Sequence, residues 1–175
     1  MKSTQRALQS GFTLIEIAIV LFIVGLLVFS VLKGATMVHQ AKVRKTAQMV
    51  EDIRTASNLF YREQGRLPGD GGVGGAVGGT VVNGLIVGDI EKDAFKEELI
   101  NGGYLKGGKE GTSTWIWRHA LDGVIWVETT GTRNFIVLTN ITADDRKFFD
   151  IQFDGDGSDS SGPVQFLTPY LKIYL

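Results

Sequence analysis

The order of apolar and polar positions divides the chain into a membrane-crossing stretch and a globular part. Residues 1–11 are polar, with Lys2 and Arg6 as their only charges. Residues 12–32 are apolar, and their only ionisable side chain is Glu16. A helix needs about 20 such residues to cross the hydrocarbon core of a membrane. We therefore predict a transmembrane helix over residues 12–32.

The helical pattern continues beyond the apolar stretch. Residues 12–64 contain no proline, and Gly25 and Gly34 are their only glycines, which predicts one continuous helix. In residues 33–64, apolar side chains recur near helical spacing, so this half is expected to be amphipathic and to pack on a sheet. They are Val38, Ala41, Met49, Ile53, Ala56 and Phe60. A coiled coil is disfavoured because they do not hold a strict seven-residue repeat.

Residues 65–175 are rich in glycine and in turn signals, which is typical of a small globular domain. The glycine-rich run at 71–79 predicts a surface loop, and it lacks the Lys-Ser/Thr pair that a phosphate-binding loop requires. Residues 90–99 read as a short helix that ends at residues 101–103.

The rest of the globular part alternates in the manner of a sheet. Residues 114–119, 124–130 and 134–139 are three runs rich in β-formers, separated by turn residues, and they predict an antiparallel meander. Thr142 can cap a helix that runs to about Asp150, with Phe148 or Phe149 facing inward. The expected fold class is α+β: a long N-terminal helix packed on a small antiparallel sheet, with loops at 65–89 and 150–163.

Composition excludes several classes of function. The formal net charge is −1, so no specific nucleic acid is predicted as a partner. Cysteine is absent, which excludes disulfides, thiolate metal sites and a cysteine nucleophile. His39 and His119 are isolated, and no Ser/His/Asp or paired-carboxylate arrangement is convincing, so we do not expect an enzyme.

The run Gly11-Phe12-Thr13-Leu14-Ile15-Glu16 resembles the processing site of type IV pilins and type II secretion pseudopilins. The resemblance implies a pilin-like fold and a leader of residues 1–11, which prepilin peptidase removes by cutting between Gly11 and Phe12. It also implies N-methylation of Phe12 and pairing of Glu16 with the N-terminus of a neighbouring subunit. Residues 67–70, Leu-Pro-Gly-Asp, resemble a subgroup of bacterial pilin-like proteins.

The resemblance carries expectations about location, partners and function. Positive charge before the span favours an N-terminus in the cytoplasm, so the precursor would lie in a bacterial inner membrane. The mature chain would join a periplasmic or extracellular filament, homo-oligomeric or mixed with other pilins, through an inner-membrane assembly platform. A structural subunit of a type IV pilus or pilus-like filament is the main hypothesis. A type II secretion pseudopilin and a membrane-anchored extracytoplasmic binding module are the alternatives.

An acidic segment near the C-terminal end is the candidate metal site. Asp154, Asp156 and Asp159 alternate with glycine and serine, and Asp150 precedes them as a helix-end cap or further ligand. Several oxygen donors on a turning backbone suit Ca²⁺, although the spacing is not that of an EF-hand. Type II secretion major pseudopilins use a loop Ca²⁺ site, which adds weight to this hypothesis. A solvated turn without metal is the alternative.

Overall fold

The computed structural model describes residues 12–71, 82–106, 116–155, 162–167 and 170–175. The helices are α1 (Leu14–Gln64), α2 (Gly88–Asn101) and α3 (Ala143–Phe153). The strands are β1 (Trp117–Arg118), β2 (Val124–Thr130), β3 (Arg133–Leu138), β4 (Val164–Leu167) and β5 (Tyr170–Tyr174). Internal contacts divide the chain into two compact units, Met1–Gln40 and Ala41–Leu175. The α+β class is confirmed.

The first unit contains the apolar part of α1. Every large apolar side chain from Phe12 to Leu32 is at least 48% exposed, so none is covered by protein. Within the described ranges, α1 is the one helix that is long and apolar enough to cross a membrane. This is the segment for which the sequence predicts a membrane span, and the continuous helix predicted to residue 64 ends at Gln64.

The second unit is built on a five-stranded sheet of order β1-β2-β3-β5-β4, in which every pair is antiparallel. Ile125 lies opposite Leu138, and Ile136 lies opposite Ile173. Because side chains alternate along a strand, these four isoleucine and leucine residues share one face, where all are fully buried. The predicted meander β1-β2-β3 is confirmed, whereas β4 and β5 were not predicted.

The buried stripe of α1 differs in part from the predicted one. Ile53, Ala56 and Phe60 are buried as predicted, but Val38 and Ala41 are exposed. The stripe consists of Val43, Thr46, Ala47, Val50, Ile53, Ala56, Ser57 and Phe60. At about 100° per residue, Ala41 lies on the side of α1 opposite Val50, so the predicted stripe was rotated around the helix at its membrane-proximal end.

The two short helices contribute the remaining core side chains. α2 begins two residues before the predicted start and buries Phe95 and Leu99 completely. α3 begins after Thr142, whose hydroxyl accepts a hydrogen bond from the backbone N–H of Asp145 at 3.2 Å, which confirms the predicted cap. Phe149 is fully buried, as one of the two predicted alternatives requires. α3 extends three residues beyond its predicted end, to Phe153.

Candidate functional site

The N-terminus of α1 is closed by a reciprocal pair of hydrogen bonds between Thr13 and Glu16. The Thr13 hydroxyl oxygen accepts from the Glu16 N–H at 3.3 Å, and Glu16 Oε2 accepts from the Thr13 N–H at 2.8 Å. The Thr13 hydroxyl also donates to Oε2 at 2.9 Å. This arrangement is a capping box, which satisfies N–H groups that the first turn of a helix leaves free.

Glu16 was predicted to pair with an N-terminus, and its role as a helix cap was not predicted. The signal was present in the Thr13-x-x-Glu16 spacing, which is the standard pattern of a capping box. The carboxylate of Glu16 can accept further hydrogen bonds beyond those of the cap. Among the described residues Oε1 accepts no hydrogen bond, and an ionised carboxylate offers about four acceptor positions. Glu16 can therefore cap α1 and bind a cation at the same time.

The predicted scissile bond lies just outside the helix. Phe12 is 83% exposed and precedes the capping residue Thr13, and neither residue is helical. Gly11, on the other side of the bond, lies outside the described residues. Cleavage there would convert the Phe12 amide nitrogen into an amine four residues before Glu16, on the apolar end of α1.

Comparison with known proteins bears on this same segment. Residues 6–32 match the family model described as the prokaryotic N-terminal methylation motif. The match includes the Gly11–Phe12 bond, Glu16 and the first part of α1. The chain carries a prepilin signal. No curated protein and no solved structure matches the chain.

The prepilin signal is that of a type IV pilin-like or pseudopilin precursor, and its motif family is structural rather than catalytic. It implies processing by prepilin peptidase. Together with the apolar half of α1, it is consistent with a precursor anchored in the inner membrane. The long helix and the antiparallel sheet are likewise consistent with a pilin-like fold. The match ends inside α1 and leaves the Leu-Pro-Gly-Asp subgroup as a prediction.

The Leu-Pro-Gly-Asp segment lies in the loop after α1. It connects this loop to α2 and to residues 83–84, which precede α2. The Arg66 guanidinium donates to both carboxylate oxygens of Glu98, at 2.7 and 2.9 Å, and these hydrogen bonds raise the pKa of Arg66. Glu98 also accepts from the Gly69 N–H at 2.8 Å. Asp70 is 1% exposed, and its two oxygens accept from the N–H groups of Asn83 and Gly84 at 3.0 and 2.7 Å.

Gly69 is required at the closest point of this loop. Its φ of +77° lies in the left-handed region, and an added Cβ would collide with the Glu91 carbonyl and come within 2.7 Å of the Phe95 nitrogen. The loop therefore packs directly on the backbone of α2. The motif accordingly has a structural function in this chain, in which Gly69 permits the contact and Asp70 fixes the segment that follows.

His119 is buried beside the end of β3. Its Nε2 lies 3.0 Å from the Thr139 carbonyl, and Nδ1 accepts from the Leu121 N–H at 3.3 Å. Because a carbonyl only accepts, Nε2 carries the proton and the ring is neutral. Burial lowers the pKa of His119 below the ordinary value of 6.5. Asp122 is a charged group that acts on the ring and partly opposes this shift, and it forms an exposed ion pair with Lys42 of α1 at 3.5 Å.

The predicted calcium ligands are only partly described. Asp156 and Asp159 lie outside the described residues, so the four carboxylates cannot be compared as a set. Asp150 is buried, and its carbonyl ends α3 by accepting from the N–H groups of Asp154 and Gly155. Asp154 Oδ2 is buried and accepts no hydrogen bond from a described residue, and the Asp154 carboxylate lies directly against Gly162. An oxygen in this state fits a cation ligand, but the described ranges, this segment included, contain no group of three potential ligands.

Proposed function

We propose that the chain is a structural subunit of a type IV pilus or pilus-like filament. The observation that carries this proposal is the continuity between the prepilin signal at residues 6–32 and the exposed apolar surface of α1. A surface this apolar is stable in lipid or against other apolar helices. Removal of residues 1–11 would let the same surface pass from the inner membrane into the core of a periplasmic or extracellular filament.

Glu16 is proposed to direct assembly. Cleavage between Gly11 and Phe12 creates a cationic amine, N-methylated at Phe12, and a cation in an apolar environment is costly without a counter-charge. Glu16 Oε1 supplies that counter-charge to the Phe12 amine of an adjacent subunit, while Oε2 keeps the cap with Thr13. A buried ion pair of this kind specifies the register between helices more than it adds stability.

Two variants separate the charge of Glu16 from its role as a cap. Glu16→Gln keeps an acceptor oxygen for the Thr13 N–H but removes the charge, whereas Thr13→Ala removes the capping hydroxyl and keeps the charge. Glu51→Gln is the control, because Glu51 lies on the exposed side of α1 beyond the apolar half and pairs only weakly with Arg54, at 3.7 Å. Each variant is expressed in the native host, and membrane insertion and incorporation into sheared filaments are measured.

The expected result is normal membrane insertion for all three variants and loss of filament incorporation for Glu16→Gln alone. Normal incorporation of Glu16→Gln would refute the role of its charge. Absence of the wild-type chain from sheared filaments would favour the membrane-anchored binding module, in which α1 is only an anchor. Mass spectrometry of the mature chain tests processing independently. An N-methylated Phe12 terminus is expected, and a terminus at Met1 or Lys2 would refute the proposal.

A further inference from the structure

A cavity of about 290 Å³ opens in the second unit between α1 and the end of the sheet. Ser57 and Asn58 of α1 line one side, and Arg133 and Tyr174, from the paired ends of β3 and β5, line another. Leu67 supplies an apolar wall. The volume is at the lower end of the range for small-molecule sites, which accommodates a ligand of a few heavy atoms or a single inserted side chain.

Ser57 places a polar group in this cavity that the fold itself does not use. The side chain is 2% exposed, and its hydroxyl has no hydrogen-bond partner among the described residues. Ser30, Thr36 and Thr46 of the same helix donate to the carbonyl four residues earlier, at 2.8, 3.4 and 3.0 Å. Ser57 does not form this usual bond, although its carbonyl acceptor lies on the same helix. A buried hydroxyl left in this state destabilises a protein unless something else binds it.

Arg133 places a cation at the same cavity. Its guanidinium stacks on the Tyr174 ring, 4.9 Å from the ring centre, and this contact holds the group in place. Within the part of the chain that the structure describes, the side chain has neither an ion pair nor a hydrogen bond. A planar guanidinium with free N–H groups is suited to bind a carboxylate through two parallel hydrogen bonds.

The neighbouring polar side chain is committed to the fold and does not compete for a ligand. Asn134 accepts from the Ile86 N–H at 2.9 Å and donates to the Gly84 carbonyl at 2.7 Å. Its carboxamide therefore organises the segment before α2. The guanidinium of Arg133, the hydroxyl of Ser57 and the exposed amide of Asn58 are available to a ligand.

We propose that this cavity binds a carboxylate with a short apolar body, in which Arg133 pairs with the carboxylate and Ser57 supplies a further hydrogen bond. The apolar body would contact Leu67 and Tyr174. The carboxylate could belong to a free organic acid or to an acidic side chain of a second copy of this chain. Binding of a free acid would be independent of the filament function, whereas binding to a second copy would be one of its contacts.

Butyrate is a suitable probe, and butyramide is its neutral counterpart of the same shape. Both are titrated into the full-length, isotope-labelled chain in detergent micelles while the backbone amide shifts are recorded by NMR. Butyrate should shift the amides of Asn58 and Leu175 saturably, and butyramide should not. Arg133→Gln should weaken butyrate binding about tenfold or more, because it removes a hydrogen bond to a charged group. Arg62→Gln, an exposed arginine near the end of α1, is the charge control.

Ser57→Ala gives a second test that a defect in folding cannot imitate. The substitution removes a buried hydroxyl without a partner, so the melting temperature of the ligand-free chain should stay the same or rise while butyrate binding weakens several-fold. Thr55→Ala, on the exposed side of α1, should change neither.

Sedimentation of the chain at increasing concentration distinguishes the two sources of carboxylate. Self-association that butyrate and Arg133→Gln both reduce would assign the carboxylate to a second copy. Butyrate binding by a chain that stays monomeric would assign it to a free acid. The proposal is overturned if no carboxylate shifts the cavity residues and Arg133→Gln leaves self-association unchanged, or if butyrate binding survives Arg133→Gln undiminished.

Discussion

Replacing Asp70 with asparagine tests whether the Leu-Pro-Gly-Asp segment holds the globular unit together. The Asp70 carboxylate is 1% exposed and accepts from two backbone N–H groups, one at each oxygen. Asparagine has almost the same shape but only one acceptor oxygen. Its NH₂ group must then face the N–H of either Asn83 or Gly84, so one hydrogen bond is lost and one buried donor is left without a partner.

The magnitude follows from the loss of charge and of one acceptor. A hydrogen bond to a charged group contributes about 1.5–3 kcal/mol, and an unsatisfied buried group costs about 1–3 kcal/mol. Both values include the loss of the same backbone hydrogen bond, so they cannot simply be added. We therefore expect Asp70→Asn to lower the free energy of unfolding by about 2–4 kcal/mol. For a unit of the size of Ala41–Leu175, this corresponds to a fall in melting temperature of about 6–16 °C.

The assay is thermal and chemical unfolding of the full-length chain in detergent, followed by tryptophan fluorescence. Asp52→Asn is the matched control, because Asp52 is exposed and, among the described residues, accepts only from the Gln48 side chain one turn away, at 3.0 Å. It should change the free energy of unfolding by less than about 0.5 kcal/mol. An Asp70→Asn variant as stable as this control would refute the argument, since the two backbone hydrogen bonds would then contribute nothing that an amide cannot replace.

Three further predictions concern separate parts of the globular unit. Gly69→Ala should destabilise the chain by at least about 1 kcal/mol more than Gly65→Ala. Both glycines have a positive φ, but of the two only Gly69 faces a neighbouring backbone. Equal losses of unfolding free energy in chemical denaturation would contradict this prediction. The pKa of His119 is lowered in the fold, so the free energy of unfolding should be constant above about pH 6.5 and should decrease below that pH, by at most about 1.4 kcal/mol per pH unit. His119→Gln should remove this pH dependence between pH 5 and 7, whereas His39→Gln should retain it. Ca²⁺ should raise the melting temperature of the wild-type chain and not that of Asp154→Asn, and a wild-type melting temperature unchanged by Ca²⁺ or chelator would exclude the calcium site.

The sequence predicted the elements whose signal is local. The end of α1 at Gln64 and the bounds of β2 agree with the pattern, because proline-free periodicity and alternating β-formers report on neighbouring residues. β4 and β5 were missed because β4 has only four residues and lies between Pro163 and Pro169, so its local pattern is too short to indicate a strand. Pairing with β3, which is distant in sequence, supplies the order that the local pattern lacks.

The features of the candidate site also divide into those with a local sequence signal and those that depend on contacts between distant residues. The prepilin signal was readable because it is a short contiguous motif, and the match at residues 6–32 supports it. The cleaved Gly11–Phe12 bond and the role of Glu16 in assembly stay predictions. The ion pair of Arg66 with Glu98 joins positions 32 residues apart, and the cavity brings Ser57 to Arg133. Such pairs form because α1, α2 and the sheet pack together, so no spacing in the sequence predicts them.

The capping box at the start of α1 has a consequence for maturation. Because the helix begins after Thr13, cleavage at the predicted Gly11–Phe12 bond would not require α1 to unwind. The cap would also persist after this cleavage, since Thr13 and Glu16 both lie on the retained side of the predicted bond. Precursor and mature subunit would then carry the same helix, and the mature subunit would gain an amine charge at Phe12 as it loses the leader with Lys2 and Arg6. On this view, maturation changes the charge next to the N-terminus of α1 and does not require the helix to refold.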